Sequence, residues 1–100
     1  MTSAGKAKIL KSVKFSDKNI IIRNEYLGEG YGVVGKLEKE AIHMTAAKEG
    51  ILLDPVYTGR AMGALIDMIR KKEFAASDNI LFWHTGGTPA LFPNAEKLTN

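Results

Sequence analysis

Three short apolar runs, separated by two longer segments of helical periodicity, set the strongest limit on how this chain of 100 residues can fold. The runs are NIIIRNEYL at 19–27, ILLDPVY at 51–57 and NILFWH at 79–84. Short apolar runs rich in β-branched or aromatic residues are typical of strands, and a continuous run suits a strand that helices cover on both faces. The pattern therefore predicts three strands that alternate with helices.

The two segments between the runs predict helices. In KLEKEAIHMTAAKEG at 36–50 the apolar residues recur at helical spacing, and Gly50 stands where a helix commonly ends. In TGRAMGALIDMIRKKEF at 58–74 one apolar face is followed by basic residues in the last turn, where the helix dipole favours cations. The two apolar faces are Leu37, Ala41 and Met44 in the first helix, and Met62, Leu65, Ile66 and Ile69 in the second.

Alternating strands and helices indicate an α/β architecture with a parallel sheet and right-handed crossovers. We expect a single α/β segment at 19–92, a basic N-terminal arm at 1–18 and a loose polar tail at 93–100. At 85–92, TGGTPALF predicts a tight turn and a short helix with Thr88 as its N-cap. A sheet this small would expose an apolar edge, so we expect either self-association or a missing N-terminal part of a larger sheet.

Several classes of function are not favoured by the sequence. No apolar run approaches the roughly 20 residues that span a bilayer, and the absence of cysteine excludes disulfides and zinc-thiolate sites. The lysines of the arm have the spacing of a solvated surface, so we expect no nucleic-acid binding. His43 and His84 lie on different predicted elements without a further ligand at metal spacing, so we expect no metal site. We expect a cytoplasmic protein.

The stretch GEGYGVVG at 28–35 contains the glycine spacing G-x-G-x-x-G. This spacing before a helix, with Asp54 about 20 residues further on, is compatible with dinucleotide binding. Against that interpretation, the residues from Arg23 to Glu29 separate the isoleucines of the first run from Gly30, which is too long for a tight strand-to-helix turn. A loop that needs glycine for its backbone conformation is the simpler alternative.

A more specific signal comes from longer motifs. The string EGILLDPVYTGRAMGALIDMIRKKEF at 49–74, followed by ILFWHTGGTPALF at 80–92 and preceded by YLGEGYG at 26–32, resembles the C-terminal part of one enzyme family. This is the family of D-cysteine desulfhydrase and 1-aminocyclopropane-1-carboxylate (ACC) deaminase, whose members depend on pyridoxal phosphate. The resemblance implies part of the parallel three-layer α/β sandwich of the tryptophan-synthase-β type, and it covers about the last third of such an enzyme.

The resemblance also implies site residues. Tyr31 in GYG and Tyr57 in DPVYTG match two active-site tyrosines of the family, and Thr58, Thr85 and Gly86 match positions beside the cofactor. The two threonines stand where ACC deaminases have a glutamate and a leucine, which favours the D-cysteine branch. The implied reaction is β-elimination, which converts D-cysteine to pyruvate, hydrogen sulfide and ammonia; an ACC deaminase-like fragment is the alternative.

This sequence also departs from the family's pattern. Val34 and Gly35 stand where the family has proline and asparagine. No lysine of this chain matches the lysine that forms the imine with the cofactor, and the phosphate loop has no counterpart. We therefore expect pyridoxal 5′-phosphate in the parent family but no catalysis by this chain alone. Whether the chain alone binds the cofactor stays open, as does a non-catalytic module that binds a nucleotide or associates with itself.

Overall fold

The two segments of helical periodicity form the principal helices of the structure, a computed structural model that describes residues 12–99. Helix α1 is Lys36–Glu49 and helix α2 is Thr58–Arg70, and both confirm the prediction. A short helix α3, Ala95–Thr99, and two 3-10 helices, Asp17–Asn19 and Thr88–Leu91, complete the regular structure. None of these helices has the length and apolar character that crossing a membrane requires. The cytoplasmic location stays a prediction.

The expected α/β sandwich is wrong, because no strand or sheet occurs within residues 12–99. Asn19 ends the first 3-10 helix, and the rest of the runs at 19–27, 51–57 and 79–84 is irregular or turn backbone. A strand is stable only when a neighbouring strand pairs with its N–H and C=O groups and other elements cover its side chains. Two of these runs lack even the cover, since Ile21 is 81% and Leu81 is 83% exposed.

Helix α1 begins and ends at glycines. At its start the Gly35 N–H donates to the Glu38 carboxylate over 2.5 Å, which satisfies one of the free amides of the first turn. At its end Gly50 takes the left-handed conformation (φ 67°), and its N–H donates to the Ala46 carbonyl. The predicted helix end at Gly50 is confirmed.

Helices α1 and α2 pack closely through glycine. A Cβ atom at Gly59 would overlap the Asp54 carbonyl oxygen and the side chain of Ile42, and one at Gly63 would overlap Leu37. Gly59 and Gly63 are four residues apart, so they lie on the same face of α2. Met62 and Ile66 of the predicted apolar face stand three residues after Gly59 and Gly63, so the two faces overlap.

The core is small and includes the end of the described chain. Ile42, Leu53 and Leu98 are buried together, and partly buried side chains pack against them: Val34, Met62, Phe82 and Leu91. Leu98 belongs to α3. The expectation of a loose tail is therefore wrong for Ala95–Thr99, which is helical. Residues 1–11 of the predicted basic arm, and residue 100 of the predicted tail, lie outside the described part of the chain.

Two helix ends differ from the sequence expectation. Helix α2 ends with Lys72 in the left-handed conformation (φ 60°), where its N–H donates to the Ile69 carbonyl and the Glu73 N–H donates to the Met68 carbonyl. Downstream, the N-cap of Thr88–Leu91 is Gly87 rather than Thr88. The backbone of Gly87 has φ 90°, a conformation that glycine adopts readily and threonine does not.

Candidate functional site

The two tyrosines singled out by the sequence lie side by side. The hydroxyl oxygens of Tyr31 and Tyr57 are 2.7 Å apart, and the rings meet edge to face with their centroids 6.0 Å apart. Either hydroxyl can donate in this hydrogen bond, and both side chains are exposed. The bond to Tyr31 raises the pKa of Tyr57, because it favours the neutral phenol. The structure brings this pair together, while its catalytic role stays a prediction.

The backbone that carries Tyr57 is held by the buried carboxylate of Asp54. That carboxylate accepts hydrogen bonds from the N–H groups of Val56 (2.7 Å), Tyr57 (2.7 Å) and Thr58 (2.9 Å). Burial raises the pKa of Asp54, but the hydrogen bonds from Thr58 and from the backbone outweigh it, so the net shift is downward. Asp54 therefore stays ionised and caps the start of α2, where negative charge is favoured.

The loop that carries Tyr31 is held by Arg60. The guanidinium donates to the carbonyl oxygens of Leu27 and of Val33 (2.9 Å), and it pairs with the carboxylate of Glu38 at 3.1 Å. Arg60 lies in the first turn of α2, three residues after Tyr57. One side chain thus joins α1, α2 and the glycine-rich loop.

The same contacts argue against a nucleotide cradle. In a dinucleotide site the amides at the helix start bind pyrophosphate. Here the Gly35 N–H at the start of α1 is already bound by the Glu38 carboxylate, which would repel a phosphate. The glycines instead provide backbone conformations, since Gly30 and Gly32 have φ of 140° and 73°. The structure favours the simpler interpretation of a loop that needs glycine.

A cavity of about 700 Å³ adjoins the tyrosine pair. Its lining includes Tyr31, Tyr57, Trp83 and both predicted cofactor threonines, Thr58 and Thr85. The lining has two arginines, and each has a carboxylate partner. Among the described residues that line the cavity, none is a lysine. The polar groups that the cavity offers to a ligand are therefore mainly hydroxyls.

The two threonines are not equivalent. The Thr58 hydroxyl is buried, donates to the Asp54 carboxylate over 2.6 Å and accepts from the Asp54 N–H over 2.8 Å. Thr85 is exposed at the cavity. Thr85 is therefore the threonine whose hydroxyl can meet a ligand, whereas Thr58 chiefly completes the turn before α2.

The segment after Thr85 packs against Asp54. A Cβ atom at Gly87 would overlap the Asp54 carboxylate, so the two motifs DPVYTG and HTGG meet at this carboxylate. His84 fixes the segment from the other side, since its Nδ1 accepts from the Gly86 N–H and its Nε2 donates to the Leu52 carbonyl. Gly86 takes a positive φ of 97° but does not line the cavity.

No metal site is found in the described part of the chain, where no three metal-binding side chains cluster. His84 acts as a hydrogen-bonding residue through both ring nitrogens. His43 is exposed on α1, and its Nε2 lies 2.5 Å from the Leu98 carbonyl oxygen.

Two residues of the site were missed at the level of sequence. In the sequence Asp54 stands out only as a candidate ribose-binding acid, although an acid shortly before a helix is an ordinary capping signal. Arg60 gave no local signal, because its partners Leu27, Val33 and Glu38 are 22 to 33 residues away along the chain. Contacts of such separation are set by tertiary structure.

Comparison with proteins of known structure identifies a similar protein. No family model matches the chain. The fold is similar to a solved structure described as "Crystal Structure Analysis of the ACC deaminase homologue", with a TM-score of 0.66 and 37% sequence identity. The match covers 94% of this chain, and the chain spans 28% of the length of that protein. This similarity supports the ACC deaminase and D-cysteine desulfhydrase family for the chain, without favouring the D-cysteine branch.

Proposed function

We propose that this chain forms one wall of a pyridoxal-phosphate site in an enzyme of the ACC deaminase and D-cysteine desulfhydrase type. The observation that carries the proposal is the hydroxyl pair of Tyr31 and Tyr57, which lies beside a cavity lined by Thr85. Such a pair can hold or pass a proton next to a bound substrate. The 37% identity to an ACC deaminase homologue supports the same chemistry.

The lining residues fit part of the cofactor. When bound, pyridoxal phosphate supplies an electron sink for negative charge that develops on the substrate. The Thr85 hydroxyl would bind the ring nitrogen, and the aromatic side chains of Tyr31 and Trp83 would shield the ring from water. Tyr31 and Tyr57 would deliver or accept a proton at the substrate. The described lining offers no lysine for a covalent bond to the cofactor, so this wall is only one side of a complete site.

For the substrate we propose D-cysteine, which yields pyruvate, hydrogen sulfide and ammonia with the uptake of one water. A neutral hydroxyl at the ring nitrogen holds a proton there less firmly than a carboxylate does, which suits elimination of a good leaving group. Thr85 carries this expectation, because the Thr58 hydroxyl is bound to Asp54. ACC is the alternative substrate, and the description of the similar protein favours it.

We further propose that the chain acts together with additional polypeptide that corresponds to the part of the ACC deaminase homologue it does not match. The chain spans 28% of that protein, and its apolar side chains are left uncovered, with Ile21 81%, Leu81 83% and Trp83 77% exposed. Exposed apolar surface of this extent is typical of an interaction site. The added polypeptide would supply the lysine, and the chain alone would not catalyse.

The test is complementation. The 100-residue chain is mixed with a separately produced polypeptide that corresponds to the unmatched part of the ACC deaminase homologue, with pyridoxal phosphate present. We expect sulfide and pyruvate from D-cysteine in the mixture, and neither product from the chain alone. Release of ammonia and a four-carbon 2-oxo acid from ACC, without sulfide from D-cysteine, would assign the alternative substrate.

Variants of the tyrosines complete the test. Tyr31→Phe or Tyr57→Phe should lower the turnover of the mixture by about 100-fold, the usual contribution of a positioned proton donor or acceptor. Circular dichroism should show unchanged helix content, because both side chains are exposed. Full turnover in both variants would exclude the proposed role of the pair, and association of the chain only with its own copies would exclude the proposed partner.

A further inference from the structure

We propose that Arg60, through Glu38 and the carbonyl groups of the glycine-rich loop, is the positioning residue that sets the Tyr31 hydroxyl against that of Tyr57. The inference deepens the proposed function and rests on it for the catalytic meaning of the pair. The geometry itself can be tested on the chain alone, without cofactor or substrate. The two can therefore fail independently.

The loop at 27–33 has little internal structure to hold Tyr31 in place. Its own backbone contributes one hydrogen bond, from the Val33 N–H to the Gly30 carbonyl over 3.3 Å. Gly28, Gly30 and Gly32 all take positive φ, and glycine is the residue with the most conformational freedom to lose on folding. A loop of this composition needs an external constraint to present one side chain in one place.

Arg60 supplies that constraint. Its guanidinium reaches the carbonyl oxygens of Leu27, Gly30 (3.4 Å) and Val33 (2.9 Å), on both sides of Tyr31. A planar guanidinium has five N–H donors in a fixed fork, so it can serve several carbonyls at once. The loop therefore wraps around the end of this one side chain, and Gly28 is close enough that an added Cβ would touch the guanidinium.

Glu38 fixes the guanidinium in turn. The Arg60 side chain is 15% exposed and that of Glu38 is 4% exposed, so the pair is shielded from solvent. One carboxylate oxygen of Glu38 accepts from Arg60 and the other accepts from the Gly35 N–H at the start of α1. The two tyrosines thus have separate supports, since Tyr57 is held by Asp54 through its own N–H.

The structure also offers a matched control. Arg70 and Glu40 form a second ion pair between α2 and α1, with N and O 2.6 Å apart. Both side chains are about half exposed, and they pair with each other rather than with the glycine-rich loop. Loss of this pair removes a bridge between the same two helices without touching the support of Tyr31.

The experiment is a pH titration of the tyrosines by NMR, with ¹³Cζ-labelled tyrosine in the full chain. The chain has three tyrosines, which single Tyr→Phe substitutions assign. Tyr31→Phe should lower the pKa of Tyr57 toward the ordinary phenol value of about 10, because the hydrogen bond that raises it is lost. Arg60→Gln should produce a decrease of the same size as Tyr31→Phe, and Arg70→Gln should produce none.

Two further variants test the proposal in case Arg60→Gln does not fold. Arg60→Lys keeps the charge beside Glu38 but loses the fork, so it should lower the pKa of Tyr57 by less than Arg60→Gln. Glu38→Gln keeps the shape of the carboxylate and should shift Tyr57 in the same direction. An unchanged Tyr57 titration in folded Arg60→Gln or in both of these variants would overturn the proposal, as would an unchanged titration in Tyr31→Phe. If the wild-type mixture released no sulfide, that result would contradict the proposed function but not the role of Arg60 in positioning Tyr31.

Discussion

The helix pair α1–α2 and the apolar runs around Ile21 and Leu81 differ in a way that hydropathy does not predict. The pair makes its closest contacts at two glycines, Gly59 and Gly63, whereas the two isoleucine- and leucine-rich runs are exposed. A helix satisfies its own backbone hydrogen bonds and needs one neighbour to bury a face. A strand needs other elements both to pair with its backbone and to bury its side chains. In these two parts of the chain, burial follows the helical backbone rather than apolar content.

The largest expected effect comes from Asp54, at the turn that leads into α2. Asp54→Ala removes the acceptor of three backbone N–H groups and of the Thr58 hydroxyl. We expect the free energy of unfolding to fall by roughly 3 kcal/mol, which combines a lost helix cap with unsatisfied buried donors. Urea denaturation followed by circular dichroism measures it. A loss below about 1 kcal/mol would mean that closure of the α2 turn does not depend on this carboxylate.

The same carboxylate makes the free energy of unfolding depend on pH. Folding lowers the pKa of Asp54 below its ordinary value of 3.8, since the hydrogen bonds from Thr58 and the backbone outweigh burial. Its contribution is therefore present above about pH 4 and is lost as the pH falls through the folded-state pKa. The Asp54→Asn variant has no carboxylate at this position and therefore lacks this pH-dependent contribution to stability. The difference in unfolding free energy between the wild type and Asp54→Asn should shrink on acidification from about pH 6 to pH 2, and a constant difference would contradict the assignment.

The next effect tests the close packing around Gly59. Gly59→Ala places a methyl group against the Asp54 carbonyl oxygen, which is backbone and cannot rotate away. We expect a net loss of about 2 kcal/mol, after the gain in helix propensity from glycine to alanine. Gly63→Ala is the matched variant, because its nearest obstacle is the side chain of Leu37, and the Leu37 carbonyl oxygen is 3.0 Å from the added Cβ, against 2.4 Å for the Asp54 oxygen at Gly59. Equal unfolding free energies for the two variants would show that backbone proximity at Gly59 is not limiting.

A smaller effect of opposite sign is expected where α2 ends. Lys72 has φ 60°, a conformation that is strained for a residue with a Cβ atom and free of strain for glycine. Lys72→Gly should raise the free energy of unfolding by about 0.5 to 1 kcal/mol, because relief of strain exceeds the added freedom of the unfolded chain. Lys71→Gly, one residue earlier, should destabilise the protein. A destabilised Lys72→Gly variant would contradict the left-handed conformation at this position.

The smallest effects are expected in the exposed apolar runs around Ile21 and Leu81. Ile21→Ser and Leu81→Ser change exposed side chains, so the free energy of unfolding of the chain alone should stay within about 0.5 kcal/mol of wild type. The same variants should weaken association with the complementing polypeptide, measured by sedimentation of the mixture. A large loss of stability in the chain alone would remove the difference between the two regions.

What the sequence predicted correctly is local. The helices at Lys36–Glu49 and Thr58–Arg70 follow from apolar spacing, and Gly50 follows from the freedom of glycine at a helix end. These features depend on residues within one or two turns of each other. The motif resemblance, which draws on a whole family, singled out Tyr31 and Tyr57 although neither spacing nor periodicity relates them.

What the sequence could not predict depends on distant partners. An apolar run such as 79–84 is compatible with a strand, but whether a neighbouring strand is there to pair with it is not written in the run. Arg60 is part of a helix by periodicity, and only the fold brings the carbonyl of Val33 to its guanidinium. The packing of Gly87 on Asp54 is of the same kind, since 33 residues separate them.

The carboxylate of Asp54 has a consequence for how much a motif can say about activity. Within DPVYTG the Asp54, Thr58 and Gly59 positions are fixed by folding, because each contributes to the turn or to its closest packing. A descendant that had lost every catalytic function would still need those letters to fold. Tyr57 is exposed, and its side chain contributes nothing to that turn. Of Asp54, Tyr57, Thr58 and Gly59, Tyr57 is therefore the residue that folding does not explain, which suits the role at a substrate proposed above.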